Sequence, residues 1–140
     1  MDDIPEGFAP HFKRSAFTDP WEPIFSQSLP DRIRLGLRLA AAHCNSRGFV
    51  HGGLVASLAD NAMGLSCAAA AKTAGDPVGG LVTVSLSVDY EGSAPLGAWL
   101  VVDTDHVKVG GSVCFARALV VADDAVVATA HATFKRVGGR

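Results

Sequence analysis

Asn45-Ser46-Arg47-Gly48-Phe49-Val50-His51-Gly52-Gly53-Leu54 decides the fold, because it ends in two glycines and opens an almost wholly apolar run. From Leu54 onward, Val55, Leu58, Ala59, Ala62, Met63, Leu65, Ala68 and Ala69 leave little polar surface on a helix. Such a helix belongs in a core. Into it the sequence places one carboxylate, Asp60. Just before it, the first turn has backbone N–H groups without helical partners. A carboxylate and free N–H groups on one element point to a reaction site. Gly75 and Pro77 stop the helix, which is then about 20 residues and roughly 30 Å long. Gly64 in its interior costs roughly 1 kcal/mol relative to Ala, which implies close approach of another backbone or of a ligand.

Outward from the helix, the pattern changes to period two. Ile33, Leu35, Leu37, Leu39 and Ala41 alternate with Arg32, Arg34, Gly36 and Arg38, which predicts a strand with one buried face. After Gly79-Gly80, Val82, Val84, Leu86, Val88 and Tyr90 face one way, with Thr83, Ser85, Ser87 and Asp89 opposite. Trp99 to Val109, Val113 to Val121 and Val126 to Val137 predict three more strands, with turns at Gly110-Gly111 and Asp123-Asp124. Residues 1–30 carry five of the seven prolines together with five aromatic residues, and predict an extended arm lying over residues 31–140 or a neighbour. A run of strands beside one long helix is an α+β domain: an antiparallel sheet of about five strands wrapped around a central helix.

The composition closes off several functions. A net charge of −2 leaves no basic footprint for nucleic acid. Asp60 and Asn61 interrupt the apolar run, so no membrane span is expected, and the first residues have no basic start leading into an apolar stretch, so no signal peptide is expected. Three cysteines, an odd number, fit a reduced cytoplasmic protein. His43, Cys44 and His51 lack a recognised metal-ligand spacing, so neither metal nor cofactor is expected.

The motif Asn45, Gly48, His51-Gly52-Gly53, Leu58-Ala59-Asp60, Ala62, Gly64 resembles the hotdog-fold acyl-CoA thioesterases of the phenylacetate-degradation (PaaI-like) type, with similarity of layout over residues 32–137. The resemblance implies that Gly52 gives a backbone N–H to the thioester carbonyl and that Asp60 is base or nucleophile. It also implies that Asn45 orients water or carbonyl, and that Thr83 supplies the hydroxyl of a site that some relatives fill with Ser. Strict alternation sets Thr83 on the face opposite Val82 and Val84.

Chemistry supports these roles. Thioester hydrolysis builds negative charge on the carbonyl oxygen, which helix N-terminal N–H groups stabilise. Gly52 and Gly53 let substrate approach that backbone closely. Asp60 either takes a proton from water or attacks the carbonyl to form a mixed anhydride. His51 either hydrogen-bonds the thioester or pins the loop. The phosphates of coenzyme A, here part of the substrate, find candidate cations in Arg47, Lys108, Lys135 and Arg136. Eight residues separate Gly52 from Asp60, about 12 Å along the helix axis. One carbonyl cannot reach both in one chain, so a homo-oligomer with active sites at a two-fold dimer interface is expected, as a dimer or a tetramer. Two alternatives share the fold: a non-catalytic acyl-CoA-binding module and an enoyl-CoA hydratase, which generally pairs a carboxylate with a His near the helix start.

Overall fold

The computed structural model describes residues 3–138. The chain runs β1 (Ala9–Pro10), β2 (Phe25–Leu29), β3 (Arg32–Arg38), α1 (Gly52–Thr73), β4 (Gly80–Tyr90), β5 (Trp99–Val109), β6 (Val113–Ala122) and β7 (Ala125–Val137). All seven strands form one antiparallel sheet, ordered β1-β2-β3-β5-β6-β7-β4. The sheet wraps the long helix α1, the hotdog arrangement. Two strands more than expected come from the proline-rich segment, where Phe25–Leu29 pairs along β3 and Ala9–Pro10 along β2.

The helix is held from both ends. His51 is its N-cap, and its Nδ1 accepts the Gly53 N–H. At the other end Gly75 takes φ +81°, as its place before Pro77 predicts, and the Asp76 N–H reaches the Ala71 carbonyl. One face of α1 carries Val55, Leu58, Ala59, Ala62, Met63 and Cys67, each at most 2% exposed, against Leu35, Leu37, Leu100, Val102 and Val120. Full burial of each large aliphatic side chain contributes about 1.5–3 kcal/mol. By length and composition alone α1 would qualify to cross a membrane, a test that a core helix also passes.

A helix apolar on nearly every side was expected to be enclosed all round. Instead α1 packs mainly on β3, β5 and β6 and lightly on β4 and β7. Its other face, including Ala56, Ser57, Asp60, Asn61, Gly64, Leu65 and Ala68, is only half-buried. The face is lined by small residues and opens toward β4, which is itself the edge of the sheet.

The arm wraps the opposite edge. On the face of the sheet away from α1, Phe8 meets Trp99 edge-on at 5.4 Å, with Arg34 over the Phe8 ring and Arg38 over Trp99. Gly36 makes room for that ring, since a Cβ there would meet Trp99 at 2.5 Å. Beyond β1 the chain turns to the helix side, where His11 and Thr18 are buried.

Candidate active site

The helix carboxylate and the edge strand meet. Thr83 Oγ1 donates to Asp60 Oδ1 at 2.7 Å. Alternation had placed Thr83 on the wrong face, and a β-bulge is the reason. Thr83 pairs with Phe134 and Ser85 with Thr133, so two successive rungs of β7 are matched by three residues of β4. Val84 is the extra residue. It reverses the phase upstream, so Thr83 shares the helix-facing side with Leu86, Val88 and Tyr90 while Val82 turns away.

A groove of about 400 Å³ opens at this pair. One wall is the open face of α1, from Asp60 and Asn61 through Gly64 to Ala68. The other is Gly80, Leu81 and Thr83 of β4, and Phe134 of β7 also lines it. Gly64 keeps the passage clear, because a Cβ there would sit 3.5 Å from the Phe134 ring. Lys13 of the arm also lines the groove. A larger cavity, of about 630 Å³, lies between the arm and Ala40–His43 and carries none of the predicted site residues.

The helix N-terminus forms a second cluster. His51 Nδ1 accepts the Gly53 N–H at 2.9 Å, so that N–H is not free, contrary to the expectation of a free pair at Gly52 and Gly53. The same bond leaves Nε2 of a neutral His51 to carry the ring proton. Among the described residues the Gly52 N–H meets no protein acceptor. Tyr90, which alternation marked only as a strand residue, donates its hydroxyl to the Gly52 carbonyl at 2.5 Å. Its ring lies 3.4 Å from where a Cβ of residue 52 would be. Burial raises the Tyr90 pKa above its ordinary value, which favours the neutral donor.

Asn45 anchors the loop that feeds the helix. Its Oδ1 accepts the N–H groups of Arg47 at 2.9 Å and Phe49 at 3.2 Å, while its amide nitrogen has no protein partner among the described residues. Thr83 and Asp60 thus form one cluster, and Gly52, His51 and Tyr90 another.

Other candidates separate cleanly. His43 is buried with both ring nitrogens engaged, one by the Ala40 N–H and one by the Trp21 carbonyl, each at 2.8 Å. His106 and His131 are exposed. Arg136 is committed to Asp76 through contacts of 2.9 and 3.0 Å and to the Gly110 carbonyl, whereas Arg47, Lys108 and Lys135 are exposed. No group of three or more His, Cys, Asp and Glu side chains able to hold a metal occurs among the described residues.

Comparison with known proteins agrees with the fold. The Pseudomonas aeruginosa protein named "Putative esterase PA0474" is 36% identical over 135 residues, covering 96% of this chain and 98% of that one. A mutant of the phenylacetic acid degradation protein PaaI from Thermus thermophilus superposes with a TM-score of 0.73 at 25% identity, over 88% of this chain and 100% of that chain. A hypothetical thioesterase of Streptococcus pneumoniae, solved with coenzyme A, shares the fold at 20% identity and a TM-score of 0.72, over 86% and 93% of the two chains. The family model described as "Thioesterase superfamily" matches residues 47–129, from the loop before the helix into the first residues of β7. The chain belongs to the thioesterase superfamily.

Proposed function

We propose that this protein hydrolyses an acyl-CoA to free acid and coenzyme A, with Asp60 as base or nucleophile. The observation that carries the reading is the Thr83–Asp60 pair at the head of a groove large enough for an acyl group. As a base, Asp60 takes a proton from water while the oxygen adds to the thioester carbon. As a nucleophile, it adds directly, and water later cleaves the anhydride. Either way negative charge collects on the carbonyl oxygen, where the free Gly52 N–H, the His51 Nε2–H and the Asn45 amide are available donors. The C–S bond then breaks, and the thiolate leaves and takes up a proton.

In our reading each site is shared by two chains. The Gly52 and Asp60 ends lie about 12 Å apart along α1, too far for one carbonyl. The edge strand β4 exposes Val82, Val84, Leu86 and Tyr90, at 49, 57, 37 and 53%. An exposed edge that apolar is a pairing surface. A two-fold pairing of β4 with its copy, centred on Ser85, would set Tyr90 of one chain beside Gly80 of the other. The Gly52 turn would thereby approach the partner subunit's groove. We place the protein in the cytoplasm, a reading supported by three free thiols.

Release of free thiol from a panel of acyl-CoA substrates tests the activity. Turnover supports hydrolysis, whereas binding without turnover would make the chain a carrier of acyl-CoA, and hydration of an enoyl group would make it a hydratase. Sharing is tested by refolding Asp60→Asn together with Asn45→Ala. Half of random dimers are mixed and hold one intact site each, so roughly a quarter of wild-type activity should return. A mixture no more active than its parents, with exchange verified by mass, would restrict each site to one chain.

A further inference from the structure

The groove beside Asp60 contains a cation that hydrolysis itself does not require. Lys13 lines it from the arm, and among the described residues its ammonium group makes no ion pair. Nor is it carried on a trailing tail. On one side His11 is buried and its N–H bonds the Ile24 carbonyl at 2.9 Å. On the other, Ser15 and Thr18 close a turn by hydroxyl contact at 3.0 Å, with Thr18 buried. Lys13 stands between these two anchors.

A second donor lines the same groove. Asn61 is half-buried and its carboxamide has no side-chain partner among the described residues. The groove's one carboxylate, Asp60, already accepts from Thr83. The groove therefore offers two sets of uncommitted N–H donors, the Asn61 carboxamide at the Asp60 end and the charged Lys13, beside the apolar surface of Leu65, Ala68, Leu81 and Phe134. From Asp60 to Ala68 the helix wall runs about 12 Å, room for a short acyl chain. Lys13 is exposed, so a neutral chain filling that space gains nothing from the ammonium group and leaves its hydration to open solvent. A chain ending in an anion would replace the water with a charge-assisted hydrogen bond.

We propose that Lys13 is a specificity-determining residue, and that the acyl group this protein prefers is short and carries a carboxylate at its far end. The substrate class is the monothioester of coenzyme A with a dicarboxylic acid. This rests on the acyl-CoA reading above.

The test compares kcat/KM for glutaryl-CoA with pentanoyl-CoA, and for adipoyl-CoA with hexanoyl-CoA. The wild-type protein should favour the charged member of each pair. Lys13→Met should lower that ratio by roughly two- to fivefold, the range of an exposed charge pair. Lys13→Arg should keep it, and Lys13→Glu should bring it below one. Lys72→Met, which removes an exposed cation outside the groove, should leave it unchanged. A wild-type ratio at or below one, or the same ratio in Lys13→Met, overturns the proposal. Equilibrium binding of the same thioesters needs no turnover. A binding ratio that tracks Lys13 in a protein without turnover would sink hydrolysis and keep the selectivity; turnover with a flat ratio would do the reverse.

Discussion

The hydroxyl of Thr83 donates to the carboxylate of Asp60 across 2.7 Å, tying the edge strand to the central helix at the head of the groove. A hydrogen bond to a charged group is worth about 1.5–3 kcal/mol. Thr83→Val should therefore lower kcat by about ten- to a hundredfold, while Thr83→Ser stays near wild type. Asp60→Asn, which removes the base itself, should cost about two to four orders of magnitude. Wild-type turnover in Thr83→Val would show that Asp60 needs no such partner.

Asn45 has two separable duties. Its carbonyl oxygen holds the loop through Arg47 and Phe49, and its amide nitrogen has no partner among the described residues. Asn45→Asp keeps the acceptor and loses the donor, so its melting temperature should stay close to wild type. Its kcat should fall by about one to three orders of magnitude, as for a lost oxyanion or positioning donor. Asn45→Ala should lose stability as well, by about 0.5–1.5 kcal/mol for each loop hydrogen bond. If Asn45→Asp keeps full activity, the residue serves the loop alone.

The three thiols should differ sharply in reactivity. Burial, reinforced by the Cys114 thiol, pushes Cys67 up to about 12, and Cys114 is itself fully buried. Cys44 is half-buried and its pKa is also raised by burial. A thiol-reactive dye at pH 8 should label at most one cysteine per native chain and all three after denaturation. Rapid labelling of two or more native thiols would contradict the packing around α1.

His11 should make the fold acid-sensitive. Burial lowers its pKa below the ordinary 6.5, against a smaller raising effect of Glu22. On acidification below about pH 6.5 the unfolded chain takes up this proton and the native chain does not. Stability thus rises with pH across that window and is lost as pH falls from 6.5 toward the depressed native value. The melting temperature of wild type should drop more steeply between pH 7 and pH 5 than that of His11→Gln. Parallel slopes would mean that the buried ring protonates freely in the native state.

Much of this was legible in the sequence because the signals were local. The apolar run after Gly53, the stop at Gly75 and the alternations from Ile33 and Trp99 each announce an element within ten or twenty residues. Asp60 stood out as the one carboxylate in that run. The bulge did not, because period two carries no mark of a residue that has lost its partner, and alternation alone sends Thr83 to the wrong face. Tyr90 lies 38 residues from Gly52 and Lys13 far upstream of Asp60, so only the folded sheet brings them near the site. β2 leaves no local signal because Phe25–Leu29 sits in a proline-rich segment and makes its pairs with β3.

The bulge at Val84 also bears on how sequences of this kind should be aligned. Val84 occupies no rung of the ladder, since Thr83 and Ser85 already face consecutive residues of β7. A homologue lacking one residue at this point would show a gap in the alignment, yet its hydroxyl would still meet the helix carboxylate. A gap anywhere between Ser85 and Tyr90 would be a different matter. It would turn one end of the strand over and part Thr83 from Asp60 or Tyr90 from Gly52.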